Sequence, residues 1–260
     1  MNRLTGFSRR RLITGGALAL GGLSLAGCDR LTRAPAFREL LGSAEGLTLR
    51  SQRVALSGQP LAREFSAKDL SPIFKANGST APASDAYRSA AQDGFAHWRL
   101  QLDGLVRRPF SLSLAQIKAL PSRTQITRHD CVEGWSAIGQ WTGVQLGGLL
   151  GAAGVLPGAR YVVFHCADDL GPATDGSDRY YESIDLFDAF HPQTILAYAM
   201  NGAPLAVAHG APLRLRVERQ LGYKQAKYVM RVELVDRLDT IAGGKGGYWE
   251  DRGYEWYAGI

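Results

Sequence analysis

Several familiar functional signatures are missing from this chain. No G-x-G-x-x-G follows a strand-like segment and no Walker loop is present, which argues against a nicotinamide or ATP enzyme. No C-x-x-C-H occurs, so the chain carries no covalently attached haem of its own. There is no repeat array and no heptad pattern. Cysteine is scarce, with 3 in 260 residues. The charge excess is small as well. The formal net charge is +6, and Arg3, Arg9, Arg10 and Arg11 supply much of it. Without that N-terminal segment about 6 − 4 = +2 remains. That is too little to argue for nucleic acid or for an electrostatic footprint on a membrane.

What is present reads as an exported globular protein. The composition, 45% hydrophobic and 21% charged, suits one large domain or two small ones. SRRRLI at residues 8–13 has the form of a twin-arginine export signal. The apolar run that follows, residues 12–26, is short and glycine-rich for a membrane span, which takes about 20 strongly apolar residues. A permanent anchor helix stays open as the alternative. The run ends in LAGC, a lipobox-like tetrapeptide in which Cys28 would receive a lipid. The expected organisation is a signal peptide at 1–27, a polar, irregular tether and N-terminal segment at 28–69, and a domain at 70–260, in the periplasm. The twin-arginine route carries folded proteins, often already loaded with a cofactor. A prosthetic group is therefore expected.

Periodicity predicts a mixed α+β domain, β-rich in its second half, with short helices. Residues 72–93 read as a long loop of small residues. Trp98, Leu100 and Leu102 alternate like a half-buried strand. Ser113 and Gln116 have capping-box spacing ahead of Leu114, Ile117 and Leu120. Thr142 and Gln145 repeat that spacing before Leu146, Leu149, Leu150 and Ala153, with Gly154 placed to end the helix. Residues 161–164 read as a buried strand, and 185–190 as a turn or two of helix. Asn201-Gly202 marks a hairpin after the strand at 195–200. LRLRVE at 213–218 alternates cleanly, so its arginines read first as solvent-facing.

The stretch RHDCVEGWSAIGQW, residues 128–141, poses the chemical question. Cys131 is either half of a disulfide with Cys166, a buried free thiol, or a metal ligand. A single cysteine without a neighbouring His/Cys set is wrong for structural zinc, which takes four ligands. It suits a soft or high-valent transition metal whose other ligands come from a bulky cofactor. Such a cofactor needs cationic and amide groups elsewhere to hold its polar periphery.

CVEGWS (131–136), WTGV (141–144) and LL (149–150) resemble the cysteine motif of the sulfite-oxidase-fold molybdopterin enzymes. WRLQLDG (98–104), YYESI (180–184), HP (191–192), NGAPL (201–205), HGAPLR (209–214) and LGYKQAK (221–227) follow in that family's order. The resemblance covers about residues 70–260 and is closest to the bacterial periplasmic branch containing protein-methionine-sulfoxide reductase catalytic subunits. It implies the sulfite-oxidase fold and one molybdenum-molybdopterin per chain, with Cys131 as the protein ligand to molybdenum. It places Asn77, Cys166, His209, Arg214, Gln225, Ala226 and Lys227 against the cofactor, and Tyr180 beside the metal. Two departures stand out. Gly78, Ser79 and Thr80 replace the family's histidine or aromatic neighbours, and Cys166 replaces a hydroxyl residue.

The resemblance implies two-electron oxygen-atom transfer. In true sulfite oxidases a basic segment follows the metal cysteine; here Glu133 follows, which disfavours an anionic substrate. A reductase acting on an S-oxide is the expectation, with electrons from a separate membrane b-type cytochrome. A sulfite-oxidising enzyme and a non-catalytic binding module on the same fold are the alternatives.

Overall fold

A computed structural model describes residues 34–171 and 178–260. Cys28 and the twin-arginine segment lie outside the described residues. The chain divides into two units, Met1–Ala55 and Leu56–Ile260. In the first, α1 spans Pro35–Ala55. This departs from the irregular tether expected there. Pro35 opens the helix where a missing N–H costs nothing, and most of the following residues are adequate helix formers. Among the described residues no helix is long and apolar enough to cross a membrane.

The second unit is built on two five-stranded sheets. The loop expected at 72–93 contains a helix, α2 (Asp85–Gln92), capped by Ser84, whose Oγ accepts from the Tyr87 N–H at 3.3 Å. β1 (Arg99–Gly104), β2 (Phe110–Ser113) and α3 (Leu114–Ala119) follow. α3 has the expected capping box, with Ser113 and Gln116 bonding reciprocally. β3 (Ser122–Asp130) and β4 (Ser136–Gln145) form a long hairpin ahead of α4 (Leu146–Ala153). Thr142 does not cap α4. It lies within β4, and its hydroxyl meets that of Thr124 across the hairpin at 2.8 Å. Gly154 ends α4 in the left-handed region, as expected.

β5 (Tyr161–Asp169), β6 (Arg179–Asp185), α5 (Leu186–Ala189), β7 (Ile195–Met200), β8 (Ala203–Pro204), β9 (Arg214–Arg216) and β10 (Val229–Val235) complete the order. Asn201 and Gly202 both have positive φ, which lets β7 turn directly into β8. One sheet runs β2-β1-β10-β5-β6, with β1 and β10 parallel. The other runs β3-β4-β7-β8, with β9 also pairing β7. The β4–β7 register shifts at Thr142 and Gly143. A Cβ on Gly143 would lie 2.2 Å from the Leu196 carbonyl oxygen, so only glycine fits there.

The main core takes Leu100, Leu102, Ile117, Leu150, Phe164, Val232 and Leu234. A smaller cluster around Trp141 packs Ile195, Ala197 and Phe74. β9 breaks its sequence expectation. Arg214 and Arg216 are both 0% exposed, because this short strand is covered on both faces. The guanidinium of each lies over the Trp141 ring, at 5.2 and 4.5 Å.

Candidate active site

The β3–β4 hairpin carries Cys131 at its tip. Its N–H donates to the Trp135 carbonyl at 2.9 Å, and its own carbonyl accepts from Gly134 N at 3.0 Å. Gly134 makes this turn possible with a φ of +86°. Cys131 is 9% exposed and lines the cavity described next. Burial pushes its thiol pKa up; Lys75 and Arg214 act in the opposite direction. Left alone the sulfur keeps its proton. A metal cation displaces such a proton outright. Both described cysteines are free, so the disulfide reading is set aside.

The cavity has a volume of about 170 Å³. Cys131, Asn77, Tyr180, Gln225 and Lys227 share its wall; Cys166, His209, Arg214 and Ala226 do not reach it directly. Arg214 stands just behind. It donates to Asn77 Oδ1 at 3.1 Å and to the His209 carbonyl at 3.2 Å, while its Nε has no partner. Burial, then Arg216, lowers its pKa to about 9. Lys227 donates to the carbonyls of Asn77 (2.7 Å), Ala208 (3.1 Å) and Ser79. Burial and Arg214 lower it to about 7. His209 is kept neutral by burial and by these two cations, and its Nδ1 is buried without a partner.

Buried cations that repel one another, beside unfilled donors, are unfavourable unless an anion joins them. A phosphorylated, polyanionic cofactor supplies that anion, and its phosphate takes charge-assisted bonds from such groups. Among the described residues no group of three or more His, Cys, Asp or Glu is arranged to hold a metal unaided. Cys131 therefore suits a metal that brings its remaining ligands with it. The residues present fit molybdenum-molybdopterin. When bound, that group supplies two-electron redox chemistry. The chain would hold it through Cys131, Arg214, Lys227, His209 and Asn77.

The other expected residues are placed with less freedom. Tyr180 lines the cavity, but its hydroxyl donates to the Tyr223 carbonyl, and burial raises its pKa well above the usual range. Gln225 donates to the Gln220 carbonyl at 3.1 Å. The Ala226 carbonyl accepts from Leu215 N at 2.8 Å, tying the segment after β9 back to that strand. Cys166 faces inward from β5, is 2% exposed, and keeps its proton because burial raises it. Gly222 allows the turn before Gln225 to seat against His129, since a Cβ there would lie 2.6 Å from the imidazole.

Sequence reasoning missed several neighbours. Ser79, Asp168 and Tyr223 line the cavity, as does Tyr254 from the C-terminal tail. Trp249 forms part of the same wall. Asp168 had one weak signal, an acid on the inward phase of an apolar strand. A buried triad was also missed. Lys224 donates to Glu182 and, at 2.6 Å, to Glu250. It belongs to the 3-10 turn Gly222–Lys224, which leads into Gln225. Burial works against the charge of Lys224, but the two carboxylates outweigh it. Burial pushes the Glu182 pKa well above the usual carboxylate range, with Lys224 pulling the other way.

Lys224→Met leaves both acids buried without their cation. It should cost about 3–5 kcal/mol near neutral pH. The raised pKa of Glu182 means that the native state binds a proton the unfolded state lacks. Stability then falls as pH rises through the window above the unfolded carboxylate pKa. Urea denaturation at about pH 5 and about pH 8 should show the larger loss at the higher pH.

Comparison with known proteins shows the family. The family model for the oxidoreductase molybdopterin binding domain matches residues 88–240, more than half of the chain. The match includes Cys131 and Arg214 and leaves Asn77 outside. A putative protein-methionine-sulfoxide reductase subunit YedZ1 from Azospira oryzae is 39% identical over 199 residues, 75% of this chain and 70% of that one. The protein-methionine-sulfoxide reductase catalytic subunit MsrP of Xanthomonas campestris pv. campestris is 30% identical over 241 residues, 90% of this chain and 72% of that one. Among solved structures, the sulfane dehydrogenase SoxCD from Paracoccus pantotrophus aligns with a TM-score of 0.48 at 24% identity, covering 55% of this chain and 39% of its own. The chain belongs to the molybdopterin-binding oxidoreductases of the sulfite-oxidase fold, and it is an enzyme of that family.

Proposed function

We propose that the enzyme reduces an S-oxide, such as a protein-bound methionine sulfoxide, with one molybdenum-molybdopterin per chain. The observation that carries this reading is the wall around Cys131. It is formed by Val132, Tyr223, Trp249 and Tyr254, with Glu133 at the rim. Tyr223 and Trp249 both pack against Tyr254, with ring centroids 5.2 and 5.4 Å apart. Aromatic faces and edges suit a thioether or sulfoxide sulfur. Glu133 accepts from Trp135 Nε1 at 3.0 Å and pairs with Lys75 at 3.2 Å, and both contacts hold it ionised. A carboxylate there repels sulfite and tolerates a neutral sulfoxide. Two relatives carrying the reductase name support the same substrate class.

In this reading Arg214, His209, Asn77 and Lys227 bind and orient the cofactor, and the C-terminal aromatics exclude water from the reacting sulfur. Tyr180 fixes the Tyr223 backbone at the cavity wall. With no haem motif in the chain, the electrons come from a separate partner, a membrane b-type cytochrome. Export by the twin-arginine route and a lipid on Cys28 would keep the enzyme in the periplasm beside that partner.

The test is a substrate screen on protein produced with molybdenum available. With reduced viologen, methionine sulfoxide should be turned over. Rapid oxidation of sulfite, with no sulfoxide turnover, overturns the proposal.

A further inference from the structure

We infer that Asp168 is the acid that protonates the oxygen leaving the substrate during S-oxide reduction. The inference deepens the reductase reading above and rests on it.

The placement comes from the phase of β5. Val162, Phe164, Cys166 and Asp168 are buried in alternation toward the strand's end. The β5–β6 register shifts between His165 and Asp169. The last inward side chain therefore sits at an opening between the strands rather than inside the core, and Asp168 lines the same cavity as Cys131. It is 3% exposed. Its Oδ2 accepts from Ser79 Oγ at 2.9 Å, while its Oδ1 is buried with no partner. An unpaired buried carboxylate oxygen is costly. It calls for a proton, or for a donor inside the cavity.

The groups around Asp168 do not supply a structural explanation. Lys227 is near enough to favour its charged form, but its N–H bonds go to the carbonyls of Asn77, Ser79 and Ala208. Asp169 points outward on the same strand and pairs with Arg179 at 3.5 Å. Cys166, Tyr180, Tyr87 and Tyr228 contribute only neutral groups, because burial raises each of their pKa values. The balance leaves Asp168 at about 6, raised chiefly by burial and opposed by Ser79, its own backbone N–H and Lys227. A general acid works best when its pKa lies near the working pH.

Other ionisable groups of the cavity wall are less suited to the task. Tyr180 has its proton committed to the Tyr223 carbonyl. Glu133 is held ionised by Trp135 and Lys75. Lys227 is pinned by three carbonyls. Among the described residues of the wall, Asp168 alone combines a protonatable range with an unengaged oxygen.

A sulfoxide takes up two electrons and two protons as its S–O bond breaks. The sulfur is reduced to the sulfide, and the oxygen leaves as water. The two electrons come from two equivalents of an external one-electron donor, a cytochrome or a reduced viologen. One proton passes from Asp168 to the departing oxygen, and solvent supplies the second. Asp168 is then reprotonated from solvent.

Asp168→Asn is the test. Asparagine keeps an acceptor for Ser79 and cannot donate an acidic proton. With reduced viologen and methionine sulfoxide, kcat should fall about a hundredfold or more, while molybdenum and pterin per chain stay at the wild-type level. The wild-type kcat should decline as pH rises through the Asp168 pKa, and the variant should lose that limb. Ser79→Ala gives a second readout that does not depend on Asp168→Asn folding. It removes a bond that stabilises the carboxylate, so the limb should move to higher pH. An unmoved limb in both variants overturns the assignment. So does a loss of cofactor in step with activity, which would make Asp168 a cofactor-holding group. Wild-type protein that carries molybdenum yet never turns over a sulfoxide removes the reductase reading, and this inference with it. The wild-type assay thus separates the two failures.

Discussion

Cys131→Ser should leave a folded protein whose sulfoxide turnover is at least about a hundredfold below wild type. The substitution is nearly isosteric, and the turn that carries it is built from backbone bonds among Cys131, Gly134 and Trp135. The fold therefore has little reason to respond, and the loss of stability should stay under about 1 kcal/mol. The sulfur does what an oxygen cannot. A thiol loses its proton readily to a metal and forms a soft, covalent bond; a serine hydroxyl is far less acidic and harder. In the proposed reading Arg214, His209 and Lys227 hold the cofactor's polar periphery, and the substitution does not touch them. Molybdenum content should therefore fall much less than turnover. Elemental analysis and a viologen-coupled assay on the same sample check both parts. Wild-type turnover in the variant would remove Cys131 from the chemistry.

Arg214→Met should have the opposite signature. The cofactor should be lost, and the cofactor-free protein should be at least as stable as its parent. Arg214 is 0% exposed, and burial and Arg216 lower its pKa to about 9. Removing one partner of a buried charged contact weakens binding by about 2–5 kcal/mol, at least about thirtyfold. The empty protein, however, contains the guanidinium as an uncompensated charge. Exchanging a buried charge for an apolar side chain of similar length is often neutral or stabilising by about 1–4 kcal/mol.

The same groups set a pH dependence. Lys227 has a folded pKa of about 7, against 10.5 normally. Between these values the unfolded chain binds more protons, so the cofactor-free protein gains stability as pH rises through about 7. Arg214 is the largest charged cause of that shift, so Arg214→Met should flatten the slope. Melting temperatures of cofactor-free wild type and variant, at about pH 6 and about pH 9, measure it. A variant that keeps its molybdenum, or a cofactor-free form that melts much lower, would contradict the reading of Arg214 as a charge held for an anion.

Much of the protein follows from local rules that its sequence alone makes legible. Ser113 and Gln116 cap α3 because a capping box needs only a four-residue window. Asn201 and Gly202 turn β7 into β8 because few other pairs accept positive φ twice. The Cys131 motif is equally local, since the ligand and the turn that presents it lie within one hairpin. Where local rules had a competitor, they failed. Thr142 has capping spacing ahead of α4, yet the β3–β4 pairing claims it for a strand. The segment preceding Leu56 has the composition of a tether, yet residues 35–55 propagate a helix.

Part of the cavity wall, including Cys131, Asn77 and Lys227, was expected from the family resemblance; its remaining parts were not legible, because they are distant in the chain. Arg214 and Arg216 alternate with leucines, and an alternating strand ordinarily turns its polar face to water. Only the covering of β9 on both faces makes them buried cations. Lys224 finds Glu182 and Glu250 across long stretches of chain, and Asp168 meets Ser79 across another. By itself the sequence determined the hairpin that presents Cys131 and the family of chemistry, since each depends on contiguous residues. The tertiary structure decided which charges lie out of water and which polar atoms lack partners. Burial is a property of what packs over a residue, and no window of neighbouring residues contains that information.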